Sequence, residues 1–194
     1  LTMARSGTEQ FAATISPQAN GQVIEFYVSA IDVQGTTRAW PSATGDCPRL
    51  LYQVDDQVIA PGRPVHRIIL TKLERDELAE IGRRPWHNTS DAQMSVTFIN
   101  IEGGQASVHY NVGVRLRGST SRAATHKSRR VNFPNDRPWR SRTAINLNAI
   151  HPHAQELGSA LFRLAGLPAP RARVVRVFEN KERLGGGSQF GHYA

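Results

Sequence analysis

Cysteine is almost missing from this 194-residue chain, with Cys47 as the single example. An internal disulfide is thereby excluded, and Cys47, just ahead of Pro48, reads as a small loop residue rather than a catalytic thiol. Lysine is scarce as well: of 24 basic residues only Lys72, Lys127 and Lys181 are lysines. No apolar run approaches the roughly 20 residues that a membrane-spanning helix needs. His151 and His153 have no third ligand at metal spacing, which leaves zinc without a sequence argument. What is present, 39% apolar and 21% charged residues, is the composition of a folded globular protein with no segment expected to be disordered.

The basic character is local. Between Arg115 and Arg142 eight arginines and Lys127 face a single acid, Asp136, and this one stretch accounts for the formal +8 of the whole chain. An anionic ligand is the obvious reason for so local a charge. Arginine dominance can reflect genome composition, so among the basic side chains the rare Lys127 stands out more than any arginine.

Along the chain, residues 22–32 and 49–54 alternate as half-buried strands, separated by a turn near Gly35 and by Ala39-Trp40-Pro41. The spacing is that of the last strands of a β-sandwich, over 1–54. Two prolines and a glycine mark 55–64 as a linker. A strand buried at its centre is expected over 65–72 and a short helix over 73–81, ended by Gly82 and Pro85. Asn88-Thr89-Ser90 fits the glycosylation triplet and reads as a polar loop. Strands 93–102 and 105–117 flank Gly103-Gly104, a hairpin signal. On the second, Val112, Val114 and Leu116 share one face, and Gly113, Arg115 and Arg117 the other.

The small-residue loop 118–125 is bracketed by Arg117 and Arg122 and has the composition of an anion-binding concavity. In the strand 128–133, Val131 and Phe133 face one way, Arg130 and Asn132 the other, and Lys127 shares the parity of the apolar pair. That is where a phosphate-binding lysine would sit, and equally where a snorkelling lysine would. A strand over 144–148 leads to an amphipathic helix from Pro152 to the Gly166 cap, with Ala154, Leu157, Ala160, Leu161, Leu164 and Ala165 on one face and Glu156 on its flank. A last strand is expected over 172–178. The run Gly185-Gly186-Gly187-Ser188 has no Gly-Lys-Ser/Thr ending and reads as a hairpin turn, not a P-loop. The first residue is Leu and the final residues look like the middle of a strand, so a piece of a longer chain is expected.

The ordered blocks Val114-Arg115-Leu116-Arg117-Gly118-Ser119-Thr120-Ser121-Arg122, Lys127-Ser128-Arg129-Arg130-Val131-Asn132-Phe133 and Ile145-Asn146-Leu147-Asn148, followed by Leu161-Phe162-Arg163-Leu164-Ala165-Gly166-Leu167-Pro168-Ala169-Pro170, resemble the CotH family from about residue 65 onward. This family of spore-coat proteins, bacterial surface proteins and fungal homologues has an atypical protein-kinase-like fold. Residues 1–54 are similar to the end of a bacterial Ig-like or fibronectin-type module. The sequence departs from the family near its end, where Glu179-Asn180-Lys181-Glu182-Arg183-Leu184 and the Gly-rich run stand in place of a compact Asn-Gly turn.

The resemblance implies an α+β fold: the antiparallel-sheet-rich N-terminal lobe of a kinase with one main helix, after a partial sandwich. It further implies ATP and Mg2+ as cofactors, a Ser/Thr-rich surface or coat protein as substrate, and a bacterial surface or extracellular location. The carboxylates that bind metal and activate the acceptor are expected outside 1–194, so this chain alone is expected to be inactive. Its share would be phosphate contacts, from Lys127 first, then Arg117 or Arg130, with Arg122 beside the loop. Two other classes compete. One is a non-catalytic surface or coat-assembly module. The other is nucleic-acid binding through 115–142, where Phe133 and Trp139 alone offer stacking surfaces.

Overall fold

The computed structural model describes residues 1–42, 49–60, 62–83, 90–185 and 190–193. Cys47, Asn88 with Thr89, and 186–189 of the Gly-rich run lie outside the described residues. Short strands β1 (Ala4–Arg5), β2 (Phe11–Ala12), β3 (Val23–Phe26), β4 (Val28–Ile31), β5 (Thr37–Trp40) and β6 (Leu50–Gln53) come first. They are followed by β7 (Val65–Ile69), α1 (Lys72–Arg83), β8 (Met94–Glu102), β9 (Gln105–Leu116), a 3-10 turn (Thr120–Ala123), β10 (Arg129–Asn132) and β11 (Ala144–Asn148). The chain continues with α2 (Pro152–Leu164), β12 (Arg173–Glu179), β13 (Glu182–Arg183) and β14 (Phe190–Tyr193).

The α+β class is the one expected, and the sheet is mixed and curled. Its neighbours run β7-β8-β9-β10-β11-β14-β12, and β12 then pairs with β7, so that the seven strands return on themselves. Closure rests on a division of labour within β12. Arg173, Val174 and Val175 pair antiparallel with β14, whereas 176–179 pair in parallel with β7. Circular pairing removes exposed sheet edges, and the inward side chains become the core. Ile68, Val96, Phe98, Val112, Val114, Leu116, Val131, Ile145, Leu147 and Val175 are all buried there.

The Gly103-Gly104 turn forms as expected, both residues at positive φ, and joins β8 to β9. Alternation along this pair is interrupted by a bulge between Val96 and Phe98 and by Asn111 at φ 54. Past the bulge, Phe98 packs with His66, Phe133 and Trp139, ring centroids 5.1–5.9 Å apart, and His109 lies 5.5 Å from Phe133.

Burial, and then the charge of Arg137, hold the His109 imidazole below its ordinary value. The unfolded chain therefore binds more protons between that depressed value and about 6.5. The stability contributed by neutral His109 is whole above about pH 6.5 and is lost as pH falls through the folded value. Urea denaturation of wild type from about pH 7 to about pH 5 is expected to show a larger loss than His109→Gln over the same range. Parallel profiles for the two proteins would contradict it.

Three differences from the sequence expectation have plain physical causes. Residues 22–32 are two strands broken at Tyr27, because β3 pairs with β6 while β4 pairs with β5. The helix expected over 73–81 runs from Lys72 to Arg83, so Gly82 lies inside it and does not end it, and its start is fixed by a cap. Thr71 and Glu74 form a reciprocal cap, in which the Thr71 N–H donates to Glu74 Oε2 at 2.9 Å and the Glu74 N–H donates to Thr71 Oγ1 at 3.3 Å. The apolar stripe of α2 faces outward, with Leu157, Leu161 and Leu164 exposed, since the closed sheet fills its interior without them.

The N-terminal strands pack on the outside of the sheet. Leu50 and Leu51 are buried, Thr97 Oγ1 donates to the Leu51 carbonyl at 2.6 Å, and Phe26 and Trp40 meet the Tyr110 ring edge-on. Part of the expected linker lies against β7, where Arg67 is paired with Asp55 and donates to Gln57. At the end of β12 a compact turn forms at Asn180–Lys181, where the sequence suggested none. Asn180 extends the ladder with its side chain, accepting from the Leu70 N–H and donating to the Leu70 carbonyl.

Candidate functional site

Lys127 sits one inward position before Arg129, as the alternation of β10 predicts. The helix that reaches it is α1. Leu78 and Ile81 bury the inner side of α1 against the sheet, and Gly82 lies directly on the lysine stem. A Cβ at Gly82 would fall 2.6 Å from Lys127 Cε and 2.8 Å from its Cδ, so the absence of a side chain there lets helix and lysine touch. The ammonium donates to the carbonyl of Arg122, within the 3-10 turn, at 2.8 Å and to that of Ala124, just past it, at 3.2 Å.

Behind Lys127, Arg129 donates through Nε and Nη2 to Glu179 Oε2 at 3.0 and 2.8 Å, and through Nη1 to the Lys127 carbonyl at 2.8 Å. Arg75 of α1 approaches the other Glu179 oxygen at 3.7 Å and pairs with Glu182 at 3.0 Å. A cleft of about 230 Å3 opens between these groups, lined by Arg75, Leu116, His126, Lys127, Arg129 and Glu179 among others. Arg75 and Arg129 are both answered by carboxylates. Lys127 has none within ion-pair distance among the described residues, so the cleft's uncompensated charge is the lysine's.

Gly82→Ala tests this arrangement apart from the fold. Alanine favours a helix by about 0.5–1 kcal/mol over glycine, and what it would strike is the lysine stem, with Leu116 Cδ1 next at 3.1 Å. The variant is expected to melt within a few degrees of wild type while its ammonium is displaced. Anion affinity lowered several-fold at unchanged stability, read by titration with ATP, is the expected outcome.

The other sequence candidates do not converge on this cleft. Arg117 and Arg130 lie on the outer face. Arg117 donates to Asn148 Oδ1 at 2.7 Å, and Arg130 donates to Asn132 Oδ1 at 2.9 Å while facing Arg115 across the ladder. Arg122 is buried and spends its guanidinium within the chain, on the carbonyls of Gly118 and Ser90 and on Asp91. The loop expected to be an anion concavity is thus filled by its own arginine. Glu156, on the flank of α2, lies in a different cleft. The acid on the Lys127 side is Glu179, acting through Arg129. Arg129 is not among the candidates drawn from the sequence, although its parity with Val131 could have shown it to be inward, and nothing local points to Glu179, 50 residues away.

The second cleft is larger, about 540 Å3, and gathers Arg140, Arg142, Glu156, Arg163, Arg171 and Arg173 around Trp139. It is built by the tight turn after β10, by α2 and by the start of β12. Glu102 pairs with Arg140 and Arg173. Burial works against ionisation of its carboxyl, but hydrogen bonds from those two guanidinia outweigh it and hold the group below its ordinary value.

No group of three or more His, Cys, Asp or Glu side chains that could hold a metal occurs among the described residues. No helix among them is long and apolar enough to cross a membrane. No family model matches the chain, and no curated protein matches it.

Proposed function

We propose that this chain is part of a CotH-like protein kinase of the bacterial surface, and that it holds the nucleotide phosphates through Lys127. The reading rests on the ordered sequence blocks, and the observation that carries it is the setting of Lys127. An ammonium has three donors. Two are fixed by carbonyls, which orients the group, and the third remains for a ligand in the cleft. Phosphoryl transfer is mostly positioning and charge neutralisation, which a pre-oriented ammonium supplies.

The cleft at about 230 Å3 is below the roughly 300–1,000 Å3 that encloses a whole small ligand. It suits the phosphate end of ATP, which when bound supplies the transferable phosphoryl group. Lys127 would hold that end, while Arg129, Glu179 and Arg75 fix the floor behind it. No step through a metal follows from the described residues. The acceptor, a Ser/Thr-rich surface or coat protein, and the carboxylates that activate it belong to the rest of the proposed kinase.

Expressed with its downstream sequence, the protein is expected to phosphorylate a Ser-rich substrate in the presence of Mg2+ and ATP. Lys127→Ala should abolish most of that activity, and this chain alone should show none. Full activity in the lysine variant would overturn the site, and absent activity in the longer wild-type protein would overturn the enzyme. The exposed apolar stripe of α2 favours a second reading, a non-catalytic assembly module, because such patches mark contact surfaces. Nucleic-acid binding finds less support, since the basic stretch is divided between inner and outer faces and Arg115, Arg122, Arg129 and Arg140 are ion-paired.

A further inference from the structure

We infer that the cleft between the Trp139–Arg142 turn, α2 and the start of β12 binds a sugar or polyol carrying two or more phosphate groups. Its volume of about 540 Å3 lies within the range that encloses a small ligand. Five arginines against Glu156 and the neighbouring Glu102 leave three positive charges uncompensated, more than one carboxylate or a single phosphate would balance.

The uncompensated groups are identifiable. Arg140 and Arg173 share Glu102. Arg142 donates to the Arg140 carbonyl at 3.1 Å and Arg163 to the Pro170 carbonyl at 2.7 Å, each keeping most of its donors. Arg171 has no hydrogen bond or ion pair among the described residues, and Arg142 and Arg163 have no carboxylate partner there. Guanidinium forks match phosphate oxygens bidentately, which suits phosphate over a diffuse anion.

The backbone supplies an independent argument. Trp139 and Arg142 exchange hydrogen bonds of 3.0 and 2.9 Å around a two-residue turn, with Arg140 at φ 51 and Ser141 at φ 63. Such a turn favours Asn-Gly, because both central residues are left-handed. Arginine and serine there are strained, and strain that the surrounding structure maintains concentrates at ligand sites. The strained turn carries Arg140 and Arg142 to the cleft. Glu156 supplies the last constraint. It has no hydrogen-bond or ion-pair partner among the described residues, and it would repel a ligand made of phosphate alone. A carboxylate in an arginine cleft accepts from hydroxyl groups, so the ligand carries hydroxyls between or beside its phosphates.

The cleft shares no lining residue with the Lys127 cleft, so the two sites can be tested apart. Fructose 1,6-bisphosphate and inorganic diphosphate would be titrated calorimetrically into wild type, Arg171→Ala, Arg142→Ala, Glu156→Gln and Lys127→Ala. Arg171 is exposed and its loss leaves the fold intact, which keeps the test valid if Arg142→Ala melts early. The expected result is binding of the bisphosphate weakened at least about tenfold by the arginine variants, by the arithmetic of one lost charged contact, and unchanged by Lys127→Ala. Glu156→Gln should weaken the sugar bisphosphate while tightening diphosphate. No binding of either probe at millimolar concentration would overturn the inference. So would binding indifferent to the arginine variants, binding lost only in Lys127→Ala, or equal effects of Glu156→Gln on both probes.

Discussion

Glu179→Ala is expected to destabilise the protein by about 3–5 kcal/mol, the cost of leaving a buried charge without its partner. Both side chains of the Arg129–Glu179 pair are 10% exposed, and Arg129 gives two hydrogen bonds to the same carboxylate oxygen. Removing the acid strands Arg129 inside the sheet and deprives Arg75 of one of its two carboxylates. The denaturant midpoint should fall at an unchanged slope, since the surface exposed on unfolding is unaltered. Replacing both partners, as Arg129→Met with Glu179→Leu, should cost much less, because desolvation and attraction are removed together. A Glu179→Ala loss below about 1 kcal/mol, within the range of exposed pairs, would show that the pair is solvated.

Phe98→Ala carries the next largest expected effect, about 3–5 kcal/mol, typical of a large aromatic removed from a core. Phe98 is fully buried and contacts the rings of His66, Phe133 and Trp139 at 5.1, 5.2 and 5.9 Å. These residues come from β7 and from the segment that leaves β10, so the phenyl ring is where β7, β8 and the end of β10 meet. The walls are held by their own ladders and cannot collapse into the space. Chemical denaturation would read the loss, and Phe98→Leu should recover a substantial part of it. A cost near that of a surface substitution would mean that the interior is not packed around this ring.

Much of this architecture follows from local pattern. The Gly103-Gly104 hairpin, the inward set Val112, Val114 and Leu116, the strand at 144–148 and the helix from Pro152 are all visible as period and punctuation. Inward parity of Lys127 and Arg129 is visible in the same way. What local pattern does not carry is pairing at a distance. The parallel contact of β12 with β7 joins residues more than a hundred positions apart, and it is this contact that turns a sheet into a ring. The helix over Lys127 is α1 because Gly82 admits the lysine stem, a fact of two side chains meeting, not of either segment's period. Arg122 looked like a ligand group because of its neighbours, yet its length lets it reach back to Ser90 and Asp91. The α2 stripe has the period of a core helix but lies outside a sheet whose interior is already full.

The central claim is that Lys127 presents its free donor to nucleotide phosphate, and titration of ATP and adenosine into wild type and Lys127→Ala tests it most directly. The expected result is binding of ATP but not adenosine, with ATP affinity falling about tenfold to a hundredfold in the variant, as for a lost hydrogen bond to a charged group. ATP bound equally by both proteins, or adenosine bound as well as ATP, would contradict it.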